Sequence, residues 1–400
     1  MGHHKEFTDK PMLDAAVTGK AFKLAAVIGA AGLVATGAGL AMGEKEQFFF
    51  SWLTAFMVFT TVSVGALFFV IIHHVARATY SAGLRRAAEN VAANLPIMAV
   101  LFIPVILGLH TLFHWTHTEA VAEDPILQWK SGYLNETFFL IRAALYFAVW
   151  TALIWFFRRT SVAQDASGDP ALTFKMRKYA PIGVLAVALS ITFAGFDWMM
   201  SLDPHWFSTM FGVYTFAGSL VAFYAVQSLM VLWLSKPGRY ENTLTIGVRH
   251  DAGKLLFAFT IFWAYVTFSQ YYLIWYANIP EETAWFQHRL QGGWENVGRL
   301  VIIGHFLLPF WVLMSRHMKR NRTVLALGAG WMLTMHFVDL YYVIMPNFHT
   351  HGPHYHWMDL TAVLGIGGLW LAFIIRRFQK DAGVAHRDPQ LIASMEYDNA

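Results

Sequence analysis

The chain reads as an all-α integral membrane protein of ten transmembrane helices, and three observations lead there. It is 56% hydrophobic and 14% charged, whereas an average soluble domain carries about 25% charged residues. Its mean hydropathy is +0.44. Ten apolar stretches are each long enough to cross a bilayer, which takes about 20 residues of helix. They run over residues 21–42, 48–72, 92–113, 137–157, 180–202, 206–234, 254–277, 297–315, 323–345 and 358–376. Helices are required because hydrocarbon offers no partner to an open backbone N–H or C=O.

Taken in order, the first span is rich in glycine (Gly29, Gly32, Gly37, Gly39, Gly43), and so is the tenth (Gly365, Gly367, Gly368). Small residues let membrane helices approach closely, so these two are expected to pack on the bundles or on neighbouring subunits. The fourth span carries Arg142 and the fifth carries Asp197 near its end. Asp203-Pro204 then has the form of a helix start, aspartate as N-cap and proline in the first turn. This predicts a very short fifth loop and adjacent antiparallel fifth and sixth spans. The seventh span carries Tyr265, Thr267, Ser269, Gln270, Tyr271 and Tyr272 at membrane depth, the eighth Arg299 and His305, and the ninth His336 and Asp339.

Basic residues set the orientation. Twenty-three Lys and Arg flank the spans in the two tails and the even-numbered loops, against Lys45, Lys130 and Arg289 in the odd-numbered ones. By the positive-inside rule both termini are cytoplasmic. The first 20 residues show no cleavable signal pattern, so the first span is expected to stay as an anchor. The pI of 9.1 reflects this one-sided loop charge and does not point to nucleic acid. There is no cysteine, which excludes a disulfide, a thiol nucleophile and a cysteine-ligated iron–sulfur cluster.

Two aspartates mark an internal repeat. Asp197 and Asp339 each stand seven residues before a proline, Pro204 and Pro346. Aligning them matches spans two to five (48–202) with spans six to nine (206–345), as two four-helix bundles in parallel orientation. Spans one and ten are peripheral. Tails 1–20 and 377–400 flank a membrane domain over 21–376.

Both aspartates sit about five residues inside the same end of their spans, a depth of ~7 Å at 1.5 Å per residue. A carboxylate inside a span is a functional candidate by default. Arg142 enters the fourth span at that depth, and Arg299 enters the eighth from the same side. Ion pairs that hold helix register and a proton relay are both compatible with this pattern. His336 shares a helix face with Asp339, and His305 stands at matching depth on the neighbouring span. The imidazoles could bind a haem between them, carry protons, or form a satisfied core pair. The hydroxyls and amide of the seventh span could carry a water wire or act as interhelical glue. His349, His351, His354 and His356 crowd the ninth loop, suiting a transition metal or a partner surface equally well. His73, His74, His110, His114 and His117 fall at span ends, where interfacial placement would account for them.

Four stretches then resemble a known family: G-F-D-W-M-M-S-L-D-P-H-W-F-S-T-M-F-G at 195–212, N-E-T-F-F-L-I-R at 135–142, Y-Y-L-I-W-Y-A-N-I-P-E-E-T at 271–283, and H-F-L-L-P-F with S-R-x-x-K-R at 305–320. With ten spans and paired four-helix units, they resemble the NrfD-like (polysulfide-reductase membrane subunit) family over residues 20–377, nearest its ActF-type subunits of bacterial alternative complex III. The resemblance implies a respiratory quinol:cytochrome c (or high-potential iron–sulfur protein) oxidoreductase in the bacterial inner membrane. Iron–sulfur clusters and c-type haems would lie in periplasmic partner subunits, and a homologous ActC-type membrane subunit is the one credited with the quinol site. This chain would carry no cofactor and no catalytic residue. It would add structure and a proton path, for which the candidates are Asp197, His336, Asp339, His305, Arg142, Tyr265, Ser269 and Gln270. A haem-b electron carrier built on His305 and His336, and a stand-alone ion transporter, are the competing readings. A transporter would be expected to show paired interior glycine–proline breaks, and the spans read as lacking them.

Overall fold

The computed structural model describes residues 6–396, which are helical and loop with no strand among them. Residues 1–5 and 397–400, the extremes of the two tails, lie outside the described residues. Among the described residues ten helical segments are long and apolar enough to cross a bilayer: Ala15–Ala41, Lys45–Val75, Thr79–Leu107, Glu136–Ser167, Ala171–Leu202, Met210–Leu234, Ile246–Ala277, Trp294–Met314, Arg322–Asn347 and Trp357–Phe378. This is the architecture of a multi-pass membrane protein.

Several spans begin on charged residues that hydropathy discounts. The third starts 13 residues before position 92, with Arg85, Arg86 and Glu89 all buried on it. They are tolerated because each finds a partner. Arg85 meets Asp388 at 2.7 Å, while Arg86 meets Glu89 at 2.9 Å and Asp165 at 2.8 Å. The C-terminal tail therefore folds back over the helix ends. The N-terminal segment joins it: the Tyr240 hydroxyl donates to Pro11 O at 2.7 Å, and Gly383 N donates to the same oxygen at 3.3 Å. Both tails thus lie on one side, the termini face. His73 and His74 are buried beneath this cap, contrary to the interfacial placement expected of them. His73 bridges Phe69 O and the Tyr80 hydroxyl, and His74 stacks on Phe157.

The spans are not all continuous helices. The third is interrupted at Ala93 and Asn94, just before Pro96, and again at Phe102, just before Pro104, where each proline removes a backbone donor. The eighth contains a π turn over Ile302–Leu307, just before Pro309. The two interrupted spans do not correspond in the repeat, so the breaks are not paired. The reading of Asp203 is corrected. It closes a one-turn helix over Met200–Leu202 and accepts from His205 N, while the sixth span starts only at Met210. Trp206 explains the longer loop: it stacks on Trp285 at 4.5 Å between centroids and donates to Glu282 O.

Spans two and six run through the centre and are buried almost all round, as core helices are. They cross at Gly65, where a Cβ would come within 2.3 Å of Ser219 O. The second span packs on the third, the third on the fourth, the fourth on the fifth, and the fifth back on the second. Spans six to nine close a second ring in the same order. The first span packs chiefly on the tenth. Any Cβ at Gly32 would lie 2.4 Å from Gly365 N, so these backbones touch directly.

Candidate functional site

The fourth span starts at Asn135, whose side chain caps Phe138 N at 2.9 Å. Two turns on, Arg142 reaches the fifth span. Its Nε donates to Asp197 Oδ2 at 2.8 Å and its Nη2 to Oδ1 at 2.9 Å. The Tyr146 hydroxyl, one turn further, donates to Oδ2 at 2.7 Å. The remaining Arg142 donor goes to Tyr133 O, and the guanidinium lies over the Tyr133 ring at 3.8 Å. Asp197 is fully buried. Its charge is matched by a bidentate cation and a phenol, the geometry in which a buried carboxylate is best compensated.

Asp339 is equally buried and in a different setting. The Tyr214 hydroxyl of the sixth span donates to its Oδ1. The Trp263 indole is close to the carboxyl without a hydrogen bond of normal geometry. Among the described residues Asp339 has no ion-pair partner. Arg299 is exposed and donates to Asn296 Oδ1 at 3.0 Å, so the expected second ion pair is not formed. Arg289 is buried nearby but spends its donors on carbonyls: Trp285 O at 3.0 Å, Tyr342 O at 3.2 Å and Val343 O at 2.8 Å. It thereby caps the end of the ninth span, and burial draws its pKa down to about 9.

A cavity of about 770 Å³ lies against Asp339 and Tyr214, walled by spans six to nine and the short helix Pro280–Arg289. The seventh and eighth spans touch near the termini face and separate toward the far face, which opens the cleft on that side. Thr267 and Gln270 line it, as do Trp263, Phe268 and Tyr271. Tyr265 also lines it, but is 63% exposed at its lipid-facing mouth. Ser269 is not on the cleft wall. Gln270 accepts from Ser208 at 3.0 Å, and the Thr267 hydroxyl has no partner.

His336 Nε2 pairs with the Thr61 hydroxyl of the second span at 2.9 Å, and its Nδ1 is unpartnered. His305 is fully buried with both ring nitrogens unpartnered, packed edge-on to Trp263 at 3.9 Å between centroids. It rides on the π turn, a device concentrated at functional positions. Pro309 ends the π pattern, because it has no N–H for the carbonyl five residues back. That carbonyl, Gly304 O, accepts instead from Trp331 Nε1 at 2.7 Å.

In the ninth loop His349 pairs with Gln47 at 3.0 Å and His356 with Glu44 at 2.9 Å. Among the described residues no three His, Asp or Glu side chains converge as metal ligands would. The sequence reading missed Tyr146, Tyr214, Trp263 and Thr61. Tyr146 could have been found as the polar residue one turn beyond Arg142, whereas Tyr214 and Trp263 carry no such signal. No protein-family model and no curated protein matches the chain.

Proposed function

We propose that the chain is a cofactor-free integral membrane subunit of a respiratory quinol:cytochrome c (or high-potential iron–sulfur protein) oxidoreductase of the alternative complex III type. Its termini face is then cytoplasmic, and its partners are an ActC-type membrane subunit and periplasmic cluster- and haem-bearing subunits. Within it the first four-helix unit is a scaffold and the second carries protons.

The observation that carries the proton role is the contrast between the two aspartates. Both oxygens of Asp197 are committed to the Arg142 guanidinium and one also to the Tyr146 hydroxyl, so we read it as structural. Among the described residues Asp339 has a phenol and an indole beside it and no cation, at the inner end of a cleft in the far half of the second unit, so it is free to take up and release a proton. His336, one turn away on the same span, and His305 lead inward from it. A haem between the two imidazoles is not favoured, because Trp263 lies against the His305 ring and His336 Nε2 is engaged with the Thr61 hydroxyl. The interrupted third and eighth spans are what speaks for a transporter, but they occupy non-equivalent positions in the two units.

Purification of the tagged chain from its native membrane tests the assignment. Recovery with partners bearing c-type haem and iron–sulfur clusters is expected, together with no Soret band from the isolated subunit. Recovery alone would contradict it.

A further inference from the structure

We propose that the lateral cleft of the second unit binds a phospholipid whose headgroup pairs a phosphate with a primary ammonium, as in phosphatidylethanolamine. One acyl chain would lie inside the cleft. This goes beyond the proton role and stands whether or not Asp339 carries protons.

The cleft opens sideways. Phe268 on the seventh span and Ile302 on the eighth are 64% and 60% exposed on its walls, facing the bilayer. A volume of about 770 Å³ falls within the ~300–1,000 Å³ of small-molecule sites. Its wall is mostly aromatic and aliphatic, so it suits a hydrocarbon chain. The carboxyl and phenol at its inner end, Asp339 and Tyr214, already bond to each other.

The charges still open to a ligand stand at the mouth. Glu295 and Arg299 lie one turn apart at the start of the eighth span, both on the cleft wall. They form no ion pair with each other among the described residues. Glu295 Oε2 accepts from Gly293 N at 2.8 Å, leaving Oε1 for a ligand, and Arg299 has only the neutral Asn296. A phosphate on the guanidinium and an ammonium on the carboxylate would satisfy both, as charge-assisted hydrogen bonds. A phosphatidylglycerol supplies no cation for Glu295. A choline headgroup supplies a cation with no N–H to donate.

The full-length chain is reconstituted in nanodiscs holding equal amounts of phosphatidylethanolamine, phosphatidylcholine and phosphatidylglycerol with the same acyl chains. It is then washed in detergent, and the retained lipid is measured by mass spectrometry. Phosphatidylethanolamine should be retained about tenfold over phosphatidylglycerol, the ratio one charge-assisted contact supplies. Glu295→Gln should abolish that preference while retention of phosphatidylglycerol persists. Arg299→Gln should lower retention of every phospholipid. The wild-type competition needs no variant, so misfolding of either variant leaves the test intact. Equal retention of the three headgroups, or no retained lipid, overturns the proposal. So does stoichiometric recovery of a lipid-soluble ring compound, which would place the ligand against the free Thr267 hydroxyl instead.

Discussion

Arg142 holds Asp197 through both carboxylate oxygens, at 2.8 and 2.9 Å, whereas Asp339 at the matching depth of the ninth span has the Tyr214 hydroxyl and, among the described residues, no cation. One sequence pattern thus folds into two electrostatic settings. Their chemistry differs accordingly. Removing charge at the first position strands a buried guanidinium, while at the second it strands nothing.

Asp197→Asn should therefore destabilise the protein by about 3–5 kcal/mol, the cost of breaking a buried pair from one side. Thermal unfolding in detergent measures it. The double variant Arg142→Gln, Asp197→Asn should recover part of that loss, because both charges then leave together. Tyr146→Phe should cost about 1–2 kcal/mol, since Arg142 still holds the carboxylate.

Trp331→Phe should leave Gly304 O without its donor and cost about 1–3 kcal/mol. Hydrogen exchange should rise first in the π turn over Ile302–Leu307, whose backbone bonds that carbonyl anchors. Unchanged exchange there would show that the indole is not what caps the turn.

The first and tenth spans should be cross-linkable in an otherwise cysteine-free chain. Thr36 Oγ1 donates to Thr361 Oγ1 at 2.9 Å, so Thr36→Cys with Thr361→Cys should oxidise to a disulfide, seen as a gel-mobility shift. Adding Gly32→Val should prevent it, because a Cβ at that position meets the backbone of Gly365. Overpacking of this kind costs about 1–3 kcal/mol.

The ninth loop should loosen as pH falls. Burial, with His354 and His356 nearby, lowers the His349 pKa below its ordinary value of 6.5. The unfolded loop then binds its proton more readily than the folded one. The contribution of His349 is full above pH 6.5 and is lost as pH falls toward its lowered pKa. Limited proteolysis of residues 348–356 across that range should show increasing cleavage on acidification, and His349→Gln should flatten the profile.

The ten spans and the matched aspartates were legible because hydropathy and spacing are local properties. Arg142 and Asp197 could be placed at one depth from span ends alone. That Arg299 would not pair with Asp339 was not legible, since it depends on the rotation of the eighth span and on its splay from the seventh. The buried charges of Ala82–Ala92 hid the start of the third span for a similar reason. Asp165 and Asp388, which neutralise Arg86 and Arg85, come from other parts of the chain. Tyr214 and Trp263 were passed over because an aromatic residue in a span is ordinary packing until its neighbour is known. The π turn likewise became visible only with Trp331 seated on Gly304 O.

The central claim is that Asp339 relays protons and Asp197 does not, and Asp339→Asn tests it most directly. The substitution is nearly isosteric, strands no cation and keeps an acceptor for Tyr214, so the variant should assemble with its partners and transfer electrons. Protons released per electron by the purified complex in sealed vesicles should then fall below the wild-type value. An assembled Asp339→Asn complex releasing the wild-type number of protons per electron would contradict the account.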